Sequence, residues 1–213
     1  MKIRVAVTLM SMMSSHSVFA DDIYVPGDYI AIQGAIDAAN DGDRILVSPG
    51  VYYGSLNIVG KSIEILGVDG ADVTTVNASI SGDSVVFIQD SDSTTLDGIT
   101  IRDGNAFSGG GVHALNSTVS IRNCDVVENT SSQYGSGVFA DGGTLLIYNS
   151  MIQFNSTGVA GGGLYARYLQ DCEIVNVQFF NNSAANGGGA YIKDLKNTCT
   201  FSDCDVSLNS SIF

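Results

Sequence analysis

The sequence predicts an all-β fold: a right-handed parallel β-helix (solenoid) with a short N-terminal amphipathic capping helix. Three observations predict it. Residue series recur every 26 or 27 positions, each recurring unit alternates with a period of two, and an amphipathic helical stripe precedes the first unit.

The first element is a leader. Lys2 and Arg4 form a basic start, Val5 to Met13 an apolar stretch, and Val18-Phe19-Ala20 a small-residue cleavage site. Residues 1–20 are therefore expected to be a signal peptide removed after Ala20. The stretch is too short to cross a bilayer, and no later run is long and apolar enough, so the mature chain is expected to lack a transmembrane segment. The expected localisation is secreted or cell surface.

Residues 21–43 are expected to be the N-terminal cap. Ile32, Ala35, Ile36 and Ala39 fall on one helical stripe, Asp28 is a plausible N-cap, and Asn40-Asp41-Gly42-Asp43 ends the helix. A solenoid exposes apolar core and open strand edge at its first coil, and a helix laid there covers both.

Residues 44–213 are expected to be the β-helix. Strand-like runs begin at Arg44–Val47 and continue through Leu56–Ile58, Ser62–Leu66, Val85–Ile88 and Ile99–Ile101. From residue 109 the repeat is explicit. Gly109-Gly110-Gly111, Gly135-Ser136-Gly137, Gly161-Gly162-Gly163 and Gly187-Gly188-Gly189 each start 26 residues after the one before. Asn129, Asn155, Asn182 and Asn209 run in step, as do Asn123, Asn149, Asn176 and Asp203. Between these marks small and apolar residues alternate: Val119/Ile121, Leu145/Ile147, Cys172/Ile174, Cys199/Phe201. Alternation puts one face in and one out, about three short strands to a unit, and only stacked units bury the inner face. Asparagine tolerates left-handed corners and bonds to neighbouring backbone, while glycine admits corners that a β-carbon obstructs. The chain stops at Asn209-Ser210-Ser211-Ile212-Phe213, where the next glycine corner is due, so the β-helix is expected to be truncated at its C-terminus.

Composition narrows function. A formal charge of −13 excludes nucleic acid as a partner, since that needs a basic patch. The four cysteines contain no CxxC pair and no Cys/His cluster, so no metal site and no cofactor are expected. Cys172 and Cys199 hold the same repeat position 27 residues apart, so adjacent coils place them within disulfide reach. Cys124 and Cys204 are three coils apart and cannot pair.

The segment Ile32-Gln33-Gly34-Ala35-Ile36-Asp37-Ala38-Ala39, followed by Asp41-Gly42-Asp43-Arg44-Ile45-Leu46-Val47-Ser48-Pro49-Gly50-Val51-Tyr52, resembles the opening of the pectate lyase-like β-helix superfamily. The Gly-Gly-Gly-apolar-aromatic-Ala units are similar to the repeats of polymorphic outer-membrane proteins. The first resemblance implies calcium-assisted β-elimination or another polysaccharide-directed reaction. Asp125 and Asp205 occupy equivalent outward positions, but Met151 and Gln178 intervene, at about 14 Å in all. Asp203 is a turn residue beside Asp205, Asp90-Ser91-Asp92 offers too few calcium ligands, and His16 leaves with the leader. No catalytic residue is assigned.

One outward series remains: His113, Phe139, Tyr165 and Tyr191, at the same place in four units. With Val112 and Ala114 inward, the residue between them points out, giving a ladder of rings along the axis. Such a row suits a glycan or a cell-surface protein, or else stabilises the solenoid through ring–ring contact. The expected function is an exported, non-catalytic surface for adhesion or glycan binding. The alternatives are a polysaccharide-active enzyme (lyase, esterase or hydrolase) and a structural stalk or spike.

Overall fold

The computed structural model of the chain describes residues 20–79 and 82–211. The expected signal peptide, apart from Ala20, lies outside the described residues, as do Ile212 and Phe213. The described chain winds into a right-handed parallel β-solenoid of about seven turns with a single short helix.

A full coil has four strand positions, one more than the alternation suggests. In one coil they are the second half of Val138–Tyr148, then Met151–Gln153, Ser156–Thr157 and Leu164–Arg167. The fourth position follows the glycines and joins the same sheet as the first, so Val112–Arg122 and Val138–Tyr148 run straight through as eleven-residue strands. Parallel registry stacks like on like. One inner column is Ile45, Ile65, Leu96, Ile121, Ile147, Ile174 and Phe201. A second is Val76, Ile101, Val126, Ile152, Phe179 and Val206. Each coil buries its inner face only against its neighbours, as a solenoid requires.

The corners are left-handed. Gly98, Asn123, Asn149, Asn176 and Asp203 all have φ between 48° and 63°, the region asparagine and glycine enter most easily. The other asparagine series works differently. At those corners the left-handed residue is the one before: Glu128, Phe154, Asn181 and Leu208. Asn129, Asn155 and Asn182 themselves are fully buried and form a hydrogen-bonded ladder. The Asn155 Oδ1 accepts both the backbone N–H and the Nδ2 of Asn129, each at 3.0 Å. Its own Nδ2 donates to the Asn182 Oδ1 at 3.0 Å and to the Val126 carbonyl at 2.9 Å. Asn182 repeats the pattern onto Asn209, and Gly104 N–H donates to the Asn129 Oδ1 at the start of the row. Polar groups inside a core must be satisfied, and here one amide per coil does it.

The cap forms at Ile32–Ala38 with Ile32, Ala35 and Ile36 buried and Ala39 behind them. Asp28 is not its N-cap. Ala31 holds that position without a side-chain bond, and the Asp28 carboxylate accepts the Tyr24 N–H at 2.8 Å, closing a turn upstream. The helix C-terminus is held from the next coil. The Lys61 ammonium donates to the carbonyls of Ile36, Asp37 and Ala39 at 2.7 to 2.9 Å, where the helix dipole also favours a cation. Buried Asp43 accepts the N–H groups of Asp21 and Asn40 at 2.9 and 2.7 Å, which explains the acid after Gly42.

Candidate functional site

The glycine triplets and the aromatic series are parts of one device. Gly109, Gly135, Gly161 and Gly187 have φ between 58° and 68°. A β-carbon there would lie 2.6 to 2.9 Å from the β-carbon of His113, Phe139, Tyr165 or Tyr191. The chain therefore folds back at this corner so that the aromatic four residues on lies over it. At the third glycine a β-carbon on Gly111, Gly137 or Gly163 would meet the next coil's carbonyl at 2.4 to 2.5 Å. It would also crowd the Nδ2 of Asn129, Asn155 or Asn182 at 2.9 to 3.1 Å. The first glycine makes room for the ring and the third for the asparagine ladder, so the three series must share one phase.

This reversed corner brings the outer faces of two sheets together. Tyr134, Ala160 and Asn186 are bridged in register on one side, and the aromatic column lies on the other. The rings stack along the axis. Phe139 and Tyr165 are 5.5 Å apart at 10°, and Tyr165 and Tyr191 are 5.5 Å apart at 13°. His113 meets Phe139 edge-on at 4.9 Å. The rings do lie outside the aliphatic core, in a separate cluster, but the expected row of open rings is corrected in its middle. Phe139 and Tyr165 are only 4% and 2% exposed, packed with Ala160, Tyr134, Val159 and Leu115. Arg167 closes over Phe139 at 5.7 Å and is anchored by the Asp141 carboxylate at 2.6 Å. Tyr191, at 36%, is the open ring of the four.

The column also starts one coil earlier than the repeat suggests. Phe87 pairs with His113 in register, with ring centroids 5.3 Å apart and nearly perpendicular. No glycine triplet precedes Phe87, so the motif gives no sign of it. Its position was legible only through alternation in Val86–Gln89. At this end the groove opens into a cleft of about 410 Å³ lined by Phe87, Phe107, His113, Asp83, Asn57 and Ser84, with Ser55, Ala106 and Ser108. Phe107 stands 73% exposed at its lip, and Asn57 pairs with Phe87 one coil above. Burial favours the neutral ring and pushes the His113 imidazole below its ordinary value, against the opposing pull of Asp141. The cleft joins apolar rings to a few polar groups, the usual make-up of a small-molecule site.

Asp125 and Asp205 do not converge. Asp125, Met151, Gln178 and Asp205 stand in register on four successive strands, so the two acids are three strands apart. Asp125 instead receives the Gln153 amide at 3.0 and 3.2 Å, and burial raises its carboxyl above the ordinary range. Arg102 is held by Asp103 and Glu128. Among the described residues no group of three or more His, Cys, Asp or Glu side chains is placed to hold a metal ion.

Cys172 and Cys199 lie in register, Cα atoms 4.3 Å apart and sulfurs bonded, while Cys124 and Cys204 stand apart from them. Burial pushes the Cys124 thiol up to about 12. Alkylation requires the thiolate. Iodoacetamide is therefore expected to modify Cys204, which is partly exposed, and to spare Cys124 in the native protein. Non-reducing peptide mapping is expected to show one link, Cys172 to Cys199. A Cys124–Cys204 link would contradict the register.

Comparison with known proteins agrees with this architecture. The family model for the right handed beta helix region matches residues 61–212, and the chain belongs to that family. Among solved structures it is similar to Escherichia coli YbhC, at 14% identity and a TM-score of 0.53, over 95% of this chain and 74% of that one. It is also similar to the pectin methylesterase from Aspergillus niger, at 13% identity and a TM-score of 0.41, over 87% of this chain and 84% of that one. No curated protein matches the sequence. At 14% identity the likeness to YbhC is one of fold, and one fold hosts many activities. Among the described residues no helix is long and apolar enough to cross a membrane.

Proposed function

We propose that the protein is an exported, non-catalytic β-helix that binds glycan, with the sugar seated in the cleft between Phe107 and the Phe87–His113 pair. The observation that carries this reading is Phe107: a large ring 73% exposed at the lip of a cleft whose other wall is aromatic. Exposed rings of this kind offer a flat apolar face to a pyranose, and Asn57, Ser84 and Ser108 supply hydrogen-bonding groups beside it. The buried Phe139 and Tyr165 shape and stiffen the groove. On this reading residues 1–20 act as the signal peptide and the protein works outside the cell.

Phe107→Ala tests it. The substitution removes a ring that packs little, so the melting temperature is expected to stay within about 2 °C of the parent. Binding on a glycan array, or to cells, is expected to weaken about tenfold or more, equivalent to ~1.4 kcal/mol. Unchanged binding with an unchanged melt would move the function away from this cleft.

A further inference from the structure

Resting on the glycan-binding reading, we infer that the cleft selects sugars bearing a protonated amine over neutral and acidic ones. The lining contains one acidic side chain, Asp83, whose carboxylate has no ion-pair partner among the described residues. No lysine or arginine lines the cleft. Four basic groups of the chain are engaged elsewhere: Lys61 on the helix carbonyls, Arg44 on Asp22, Arg102 on Asp103 and Glu128, Arg167 on Asp141. A uronate entering here would set its carboxylate near Asp83 with no cation to offset the repulsion. An ammonium meets the opposite situation. It gains the Asp83 charge directly, and the faces of Phe87 and Phe107 attract a cation through their ring quadrupoles. The formal charge of −13 on the whole chain adds long-range attraction for a cationic oligomer and repulsion for an anionic one. The lining thus reads as aromatic walls with one anionic corner, a combination that recognises an amine on an otherwise flat ring.

The test compares three tetrasaccharides by titration calorimetry at about pH 6, where the amines are largely protonated. They are the glucosamine tetramer, its fully N-acetylated counterpart and a galacturonate tetramer. The parent protein is expected to bind the glucosamine tetramer about tenfold or more tighter than the acetylated one, with the margin shrinking as salt rises. The galacturonate tetramer is expected to bind weakest. Asp83→Asn is expected to erase the preference, by weakening binding of the glucosamine tetramer far more than that of the acetylated one. Phe107→Ala is expected to weaken both. Equal or tighter binding of the acetylated or galacturonate tetramer, or a preference that survives Asp83→Asn, would overturn the selectivity while leaving glycan binding in place. Binding of none of the three by the parent would overturn the selectivity and remove the glycan-binding reading as well.

Discussion

Asn155→Ala is expected to cost about 3–5 kcal/mol of folding stability, through groups left without partners rather than lost volume. The Asn155 Oδ1 serves two donors of Asn129, and the Nδ2 serves the Val126 carbonyl and the Asn182 Oδ1. Removing the amide strands the buried Asn129 N–H outright, at roughly 1–3 kcal/mol, leaves the Asn129 Nδ2 with only its bond to the Ile101 carbonyl, and weakens the satisfaction of two acceptors. Water has no ready access, because Asn129, Asn155 and Asn182 are all fully buried. The outer turn series provides the contrast. Asn176 sits at φ 53° and donates to the Asn149 Oδ1 at 2.9 Å in an exposed setting. Asn176→Gly keeps the backbone conformation and loses a bond that solvent replaces, so about 1 kcal/mol or less is expected. Urea unfolding followed by circular dichroism separates the two. Equal losses would mean that the inner ladder is hydrated.

Much of this architecture was legible because parallel registry forces the same residue type onto the same spot in every coil. Glycine, asparagine and the aromatic recur together because the first and third glycines accommodate the other two. Before residue 109 that rule lapses. Arg44 pairs with Glu64 twenty positions on, whereas Glu64 pairs with Thr95 across a longer excursion, and no period shows. Phe87 and Phe107 were missed for that reason. The roles of the two asparagine series could not be told apart by spacing either. Both recur at the same interval, but Asn123, Asn149 and Asn176 take the left-handed corner, while Asn129, Asn155 and Asn182 follow one. Phe154 and Leu208 at positive φ are invisible to propensity, since the stability of the buried amide beside them overrides their own preference. Burial of the middle rings was likewise hidden. Alternation correctly places Phe139 and Tyr165 outside the aliphatic core, but nothing in a period of two reveals that the reversed glycine corner folds a second wall over them.

That second wall decides what the ladder does, and Tyr165→Ala measures it. An open ring in a cross-strand row contributes roughly 0.2–1 kcal/mol, so an exposed ladder would let Tyr165 be removed at small cost. Tyr165 is instead 2% exposed, stacked on Phe139 and Tyr191 and 4.7 Å from the Tyr134 ring. Its truncation is expected to cost about 3–4 kcal/mol, in the range for large aromatic residues in cores. For a domain of this size that lowers the melting temperature by roughly 6–16 °C. Tyr191→Ala, at the open end of the column, is expected to lose only about 1 kcal/mol. The single variants therefore assign the stacked rings to stability position by position, and Phe107→Ala, which leaves the stack whole, assigns binding to the cleft. A Tyr165→Ala protein that melts with the parent but fails to bind glycan would reverse both assignments, and the middle of the ladder, rather than its N-terminal end, would be the contact surface.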